Sequence, residues 1–190
     1  LFSECFVPVT YGGGISSLKD ADAIFKLGIE KICINSAVLK DINIIKEFSR
    51  NFGSQSVVVS VDIYRNIFNK IKIYNHKKNK KEDNLNLEEY FKQIENLGAG
   101  EILLTSMDRD GTKDGFDLEL TRSISESLEI PIIASGGAGK LEHFYDVFTT
   151  GKADAALAAS IFHFKEYEVS EVKDYLAERG IIVRQDWGFY

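Results

Sequence analysis

Cysteine, histidine and long apolar runs are all scarce in this 190-residue chain. Its two cysteines, Cys5 and Cys33, lie within apolar stretches. They are too few for a disulfide framework and read as two reduced, buried thiols of a cytoplasmic protein. The three histidines, His76, His143 and His163, have no zinc-ligand spacing, so no metal site and no cofactor is expected. No stretch approaches the roughly 20 consecutive apolar residues that a membrane span needs, and no charged-then-apolar leader stands at the front. Basic residues are outnumbered, 23 Lys and Arg against 29 Asp and Glu, giving a net charge of −6. That balance argues against a general nucleic-acid binder. What remains is a globular composition, 44% hydrophobic and 12% aromatic, in a chain long enough for one domain with a real core.

Short apolar runs alternate with longer amphipathic segments. Strands are expected at 7–11, 31–35, 56–61, 101–105, 131–134 and 154–158. Helices are expected near 18–27, 41–51, 87–97, 117–128, 141–149 and 168–179. Strict alternation with short connections predicts a parallel α/β fold, and strands without clean polar alternation suit a sheet covered on both faces. Residues 64–86 break this rhythm as a long excursion, with a hairpin expected at 67–75 and a lysine-rich tip (Lys77, Lys78, Lys80, Lys81). That tip reads as a solvated loop, with an anionic partner or substrate as the alternative.

An internal repeat says more than any single motif. Setting "GGISSLKDADAIFKLG" (13–28) against "GGAGKLEHFYDVFTTG" (136–151) pairs Gly13 with Gly136, Leu18 with Leu141, Phe25 with Phe148 and Gly28 with Gly151. One residue of slip later, Glu30 faces Asp154 and Ser36 faces Ser160. The offset is too long for a solenoid but fits four βα units, half of an eight-stranded barrel. The expected fold is therefore a (β/α)8 TIM barrel, of which residues 1–190 supply about six units, the third to the eighth, as a single partial domain. The chain opens on "LFSECFVPVT", without an initiator methionine, as though cut from something longer.

Chemistry then belongs at the carboxyl ends of the strands. "YGGGI" and "SGGAG" each follow a strand and precede a helix, where backbone N–H groups hold phosphate; tight turns are the plain alternative. Neither is a P-loop, because the GxxxxGK[ST] spacing is absent. Each run is followed by a strand ending in small polar residues, "INSA" (34–37) and "AASI" (158–161), so two clamps on one extended bisphosphate are expected. Asp62 ends an apolar strand and reads as a catalytic acid or base, with helix capping as the alternative. In "LLTSMDRDGTKDGFD" (103–117), Thr105, Asp110 and Gly111 read as a hydroxyl- and phosphate-binding loop. A calcium loop is the alternative there, although the EF-hand pattern is not met. His143 and His163 read as structural.

With those residues in view, the chain resembles the cyclase subunit family of imidazole glycerol phosphate synthase. The signatures run in order: "GGGI", "FGSQSVVVSVD", "GAGEILLTSMDRDGTKDGFD", "PIIASGGAGKLEHF" and "ADAALAASIFHF". The resemblance implies a (β/α)8 barrel and a lyase-type cyclase. Such an enzyme takes ammonia from a glutaminase partner and converts a phosphoribulosyl-formimino carboxamide ribotide to imidazole glycerol phosphate and aminoimidazole carboxamide ribotide. It places Asp62 as one of two catalytic aspartates, the other lying on a first strand outside this chain. It puts Gly13, Gly14, Asn35 and Ser36 on one phosphate, with Ala159 and Ser160 beside it. Asp110, Gly111, Ser135, Gly136 and Gly137 fall on the other. Lys31 and Glu101 match a charged gate for ammonia at the opposite end, the face that docks the glutaminase.

Two further readings follow from local departures. "ECFVPVTYGGGI" and "RNIFNKIKIYNHKKNKKED" look closer to a paralogous branch that amidates a nucleotide-linked sugar for surface polysaccharide. A non-catalytic phosphate-binding partner barrel is the third. With two units and one aspartate absent, the 190-residue chain alone is expected to be inactive or poorly soluble.

Overall fold

The computed structural model describes residues 7–68, 70–75, 80–82 and 86–184. Its elements run β1 (Thr10–Gly12), α1 (Leu18–Phe25), β2 (Lys31–Ile34), α2 (Ser36–Lys40), α3 (Ile44–Phe52) and β3 (Val57–Arg65). There follow β4 (Ile71–Asn75), β5 (Lys80–Glu82), α4 (Leu87–Asn96), β6 (Glu101–Ser106) and α5 (Leu118–Ser127). The chain closes with β7 (Ile132–Ser135), α6 (Leu141–Thr149), β8 (Ala155–Leu157), α7 (Ser160–His163) and α8 (Val169–Glu178). Six strands pair in parallel in the order β1-β2-β3-β6-β7-β8, with β1 and β8 at the two ends. This is the partial (β/α)8 barrel that the repeat predicts.

Helix starts follow the capping chemistry written in the sequence. The Ser17 hydroxyl accepts from Asp20 N–H at the start of α1, Asn86 caps α4, and Asp117 caps α5. The main core lies between strands and helices. Phe48 and Ile45 of α3 and Phe91 and Ile94 of α4 are fully buried with Ile32, Val57, Val59 and Ile102 of the sheet. A second cluster joins Ala134 of β7 to Phe144 and Val147 of α6, Ile161 of α7, and Val172 and Leu176 of α8.

Burial alternates along β2, β6 and β7, so the helix-facing side is the more deeply covered where both faces were expected to be covered. In β6, Ile102, Leu104 and Ser106 are buried on the helix side, while Glu101, Leu103 and Thr105 are half-buried on the inner face. Cys33, on that inner face of β2, is likewise half-buried, where sequence expected a buried thiol. Cys5 lies outside the described residues.

Other expectations shift for local reasons. Where one helix is expected at 41–51, α3 begins only at Ile44, after the Asp41 carboxylate has accepted the Asn43 N–H, and the separate short helix α2 precedes it at 36–40. The hairpin expected at 67–75 is built instead by β3 running on to Arg65 and pairing antiparallel with β4, Ile63 opposite Ile73. The backbone of β5 extends it. His76, Lys77 and Lys78 lie outside the described residues.

The internal repeat is physical. The Glu30 carboxylate accepts the N–H of Val9, at the start of the segment leading into β1, at 2.6 Å. The Asp154 carboxylate does the same for Ile132 of β7 at 2.9 Å. Each acid pins the strand before its own, and sequence had paired the two by offset alone. Both halves also run strand, glycines at positive φ, helix, strand, short helix: β1-α1-β2-α2 and β7-α6-β8-α7.

Candidate active site

The inner face of the sheet sets the site. Register aligns Asp62 of β3 with Thr105 of β6, Thr105 with Ser135 of β7, and Ser135 with Leu157 of β8. One row across the carboxyl ends therefore carries three of the residues singled out from sequence. Asn35, the residue after β2, turns its side chain onto this row and donates from Nδ2 to Asp62 Oδ2 at 2.8 Å. Below Asp62 on β2, burial and then the Asp62 charge push the Cys33 thiol up to about 11.

The two glycine runs differ in their surroundings. Gly13 (φ +116°) and Gly14 (φ +73°) adopt backbone that disfavours side chains, yet nothing lies within 4 Å of where a Cβ would sit. Gly136 and Gly137 are also left-handed, but here the 107–117 loop lies directly against them. A cavity of about 150 Å³ opens beside that contact, lined among others by Asp110, Gly111, Ser135, Gly136 and Gly137. Ala159 and Ser160 line the same cavity. This corrects their placement beside Gly13 and Gly14: they follow β8, which pairs with β7 and lies at the other end of the sheet from β1.

At the amino ends of the strands, Lys31 Nζ and Glu101 Oε1 form a half-buried ion pair that spans the intervening β3. The two residues expected at that end are thus directly joined.

Sequence reasoning missed Arg65. Its N–H donates to Asp108 Oδ2 at 2.5 Å, and its guanidinium grips both oxygens of Asp117 at 3.1 and 3.3 Å. The β3–β4 hairpin is thereby tied to the 107–117 loop. Two of the loop acids, Asp108 and Asp117, are thus both engaged by Arg65. Among the described residues no group of three His, Cys, Asp or Glu side chains is arranged to hold a metal. A larger cavity of about 570 Å³ lies along Arg65, Arg109, Phe116, Asp117, His143 and Asp146, none of them a site residue expected from sequence. His143 is structural as read, its Nδ1 accepting the N–H groups of Gly139 and Lys140 at the start of α6. Among the described residues no helix is long and apolar enough to cross a membrane.

Parallel βα units rolled into part of a barrel, with polar residues gathered at the carboxyl ends of the strands, define the (β/α)8 class of proteins. Residues 1–168 match the family model described as histidine biosynthesis protein. Three curated relatives, each called imidazole glycerol phosphate synthase subunit HisF, cover 95% of the chain. That of Methanocaldococcus jannaschii is 47% identical over 199 residues, 73% of its own length. Those of Chlorobium limicola and Prosthecochloris aestuarii are 49% and 50% identical over 181 residues, 71% of theirs. The chain belongs to the histidine biosynthesis protein family. Neither the sugar-amidating nor the non-catalytic reading is favoured, because these relatives all carry the synthase's name.

Proposed function

We infer that this chain is the cyclase subunit of imidazole glycerol phosphate synthase, a lyase-type enzyme of histidine biosynthesis. The observation that carries this is identity of 47–50% with three HisF subunits across 95% of the chain. Ammonia reaches the inner face of the barrel from a glutaminase subunit bound at the amino-end face, and the Lys31–Glu101 pair stands at that entrance. At the carboxyl ends, ammonia meets the doubly phosphorylated ribotide, and cyclisation with cleavage gives imidazole glycerol phosphate and aminoimidazole carboxamide ribotide.

Within that reaction Asp62 moves a proton at the reacting carbon–nitrogen centre. It sits at the centre of the polar row, between Asn35 on one side and Thr105 on the other, where a carboxylate at a barrel mouth reaches substrate. One phosphate lies on the backbone of Gly13, Gly14, Asn35 and Ser36. The other lies in the cavity of Asp110, Gly111, Ser135, Gly136 and Gly137, with Ala159 and Ser160 completing it.

The test is turnover of the ribotide by the full-length protein with ammonium salt replacing the glutaminase, followed by product absorbance. Asp62→Asn is expected to lose about 10²- to 10⁴-fold in kcat, the span of general acid–base catalysis. Full turnover by that variant would overturn the role of Asp62, and consumption of a nucleotide-sugar in place of the ribotide would overturn the reaction.

A further inference from the structure

Asn35 occupies the N-cap position of α2, yet its side chain makes no capping hydrogen bond. An asparagine there normally turns its carbonyl oxygen back onto the N–H groups of the first helical turn. Here the side chain points the other way, over the inner face, and Nδ2 donates to Asp62 Oδ2 at 2.8 Å. That bond fixes which end of the amide faces the carboxylate, because the flipped amide would set oxygen against ionised oxygen. The other end, Oδ1, is then buried and has no hydrogen-bond partner among the described residues. A buried acceptor without a donor is costly, and on the inner face beside Asp62 such an acceptor calls for a donor that a bound reactant can supply.

We propose that the Asn35 side chain is a bridge: Nδ2 positions Asp62, and Oδ1 receives an N–H of the ammonia-derived nitrogen in the bound reactant. The inference rests on Asp62 being the acid–base group, and it takes the Asn35 side chain off the phosphate, leaving only backbone N–H groups there. The chemistry is coherent. A carboxylate held by an amide donor keeps one oxygen aimed at the reacting centre, and the amide carbonyl beside it orients the nitrogen whose proton that carboxylate handles.

Steady-state kinetics of the full-length protein separate the possibilities. Asn35→Leu, close in shape but without polar atoms, is expected to lower kcat by about 10²-fold, comparable with loss of a positioned proton-transfer group. KM for the doubly phosphorylated ribotide should stay within about twofold, since backbone groups hold the phosphate. A raised KM with unchanged kcat would instead make the side chain a phosphate ligand and overturn the proposal. Asn35→Ser serves if the leucine variant does not fold, with the same split expected.

Asp62→Asn, measured alongside, keeps the two claims apart. If it retains full kcat, the acid–base reading fails; if it is inactive while Asn35→Leu turns over normally, only the bridge fails. A readout without turnover is the side-chain amide resonance of Asn35 in a nitrogen-15 spectrum. It should move on Asp62→Asn and again on adding imidazole glycerol phosphate, and a resonance indifferent to both would overturn the bridge.

Discussion

The Cβ that Gly137 lacks would stand 2.1 Å from the carbonyl oxygen of Gly115, and the Gly115 N–H donates to the Gly137 carbonyl at 2.8 Å. Two backbones therefore touch with no room for any side chain between them. The neighbouring glycines are as closely placed, with Gly136 against the Ser106 carbonyl at the end of β6 and Gly139 against Lys113 of the loop. The "GGAG" run thus serves loop-on-loop packing as well as any bound anion.

Gly13 and Gly137 should consequently respond differently to alanine. At Gly13 only the left-handed backbone (φ +116°) opposes a side chain, a cost of roughly 1–2 kcal/mol. At Gly137 the backbone strain is joined by a clash with a carbonyl that cannot move without displacing the 107–117 loop. Gly137→Ala is expected to cost about 3 kcal/mol or more, in the range of overpacked cores. Urea unfolding midpoints compare the two, and equal losses would show that the loop contact carries nothing.

Arg65 and Asp117 make a second test. Asp117 both receives the Arg65 guanidinium and caps α5 by accepting the Leu120 N–H at 3.2 Å. Asp117→Ala should cost about 2–3 kcal/mol, combining the loss of a cap with that of a half-buried charged hydrogen bond. Asp117→Ser keeps a capping oxygen and should recover about 1 kcal/mol of that. A double-mutant cycle with Arg65→Met isolates the ion pair. If Asp117→Ser is no more stable than Asp117→Ala, the cap contributes nothing.

The paired strand clamps offer a third. Asp154 reaches the part-buried N–H of Ile132, whereas the bond from Val9 to Glu30 is exposed. Solvent competes with the exposed bond, so Asp154→Ala should destabilise by about 1–2 kcal/mol and Glu30→Ala by less than about 1. Thermal melts of both variants give the order, and the reverse order would break the link between burial and cost.

Much of this architecture was legible because its signals are local. Residues 141–149 form α6 as expected from periodicity, and α1, α4, α5 and α8 come within two residues of their expected ends. The repeat paired Glu30 with Asp154 by offset, and the two carboxylates make matching contacts to Val9 and Ile132 in space. What failed was shorter or longer in range. The helices α2 and α7 span five and four residues and start where apolar strand signals end, so periodicity has no window in which to act. The turn of Asn35 toward Asp62 depends on β2 pairing with β3, a register no local pattern encodes. The association of Ala159 and Ser160 with Gly136 likewise depends on β7 pairing with β8.

Cys33 supplies the last test, and its sign follows from linkage. Burial, and after it the Asp62 charge, hold the folded thiol at about 11 against its ordinary value of 9.0. The folded state therefore keeps its proton while the unfolded chain loses it. The contribution to stability is fully present below the unfolded value and is lost as pH rises from about 9 toward about 11. In a Cys5→Ser background the wild-type protein should lose stability across that window, and Cys33→Ser should lack this component of the loss. At pH 8 the folded thiol should alkylate roughly 100-fold more slowly than in the unfolded chain, as expected for two units of difference in pKa. Asp62→Asn removes the smaller of the two causes, so thiolate absorbance at 240 nm should titrate at lower pH in that variant, though still above the unfolded chain. A thiol that titrates at the same pH with and without the Asp62 charge would mean that the two side chains do not sense each other across the inner face.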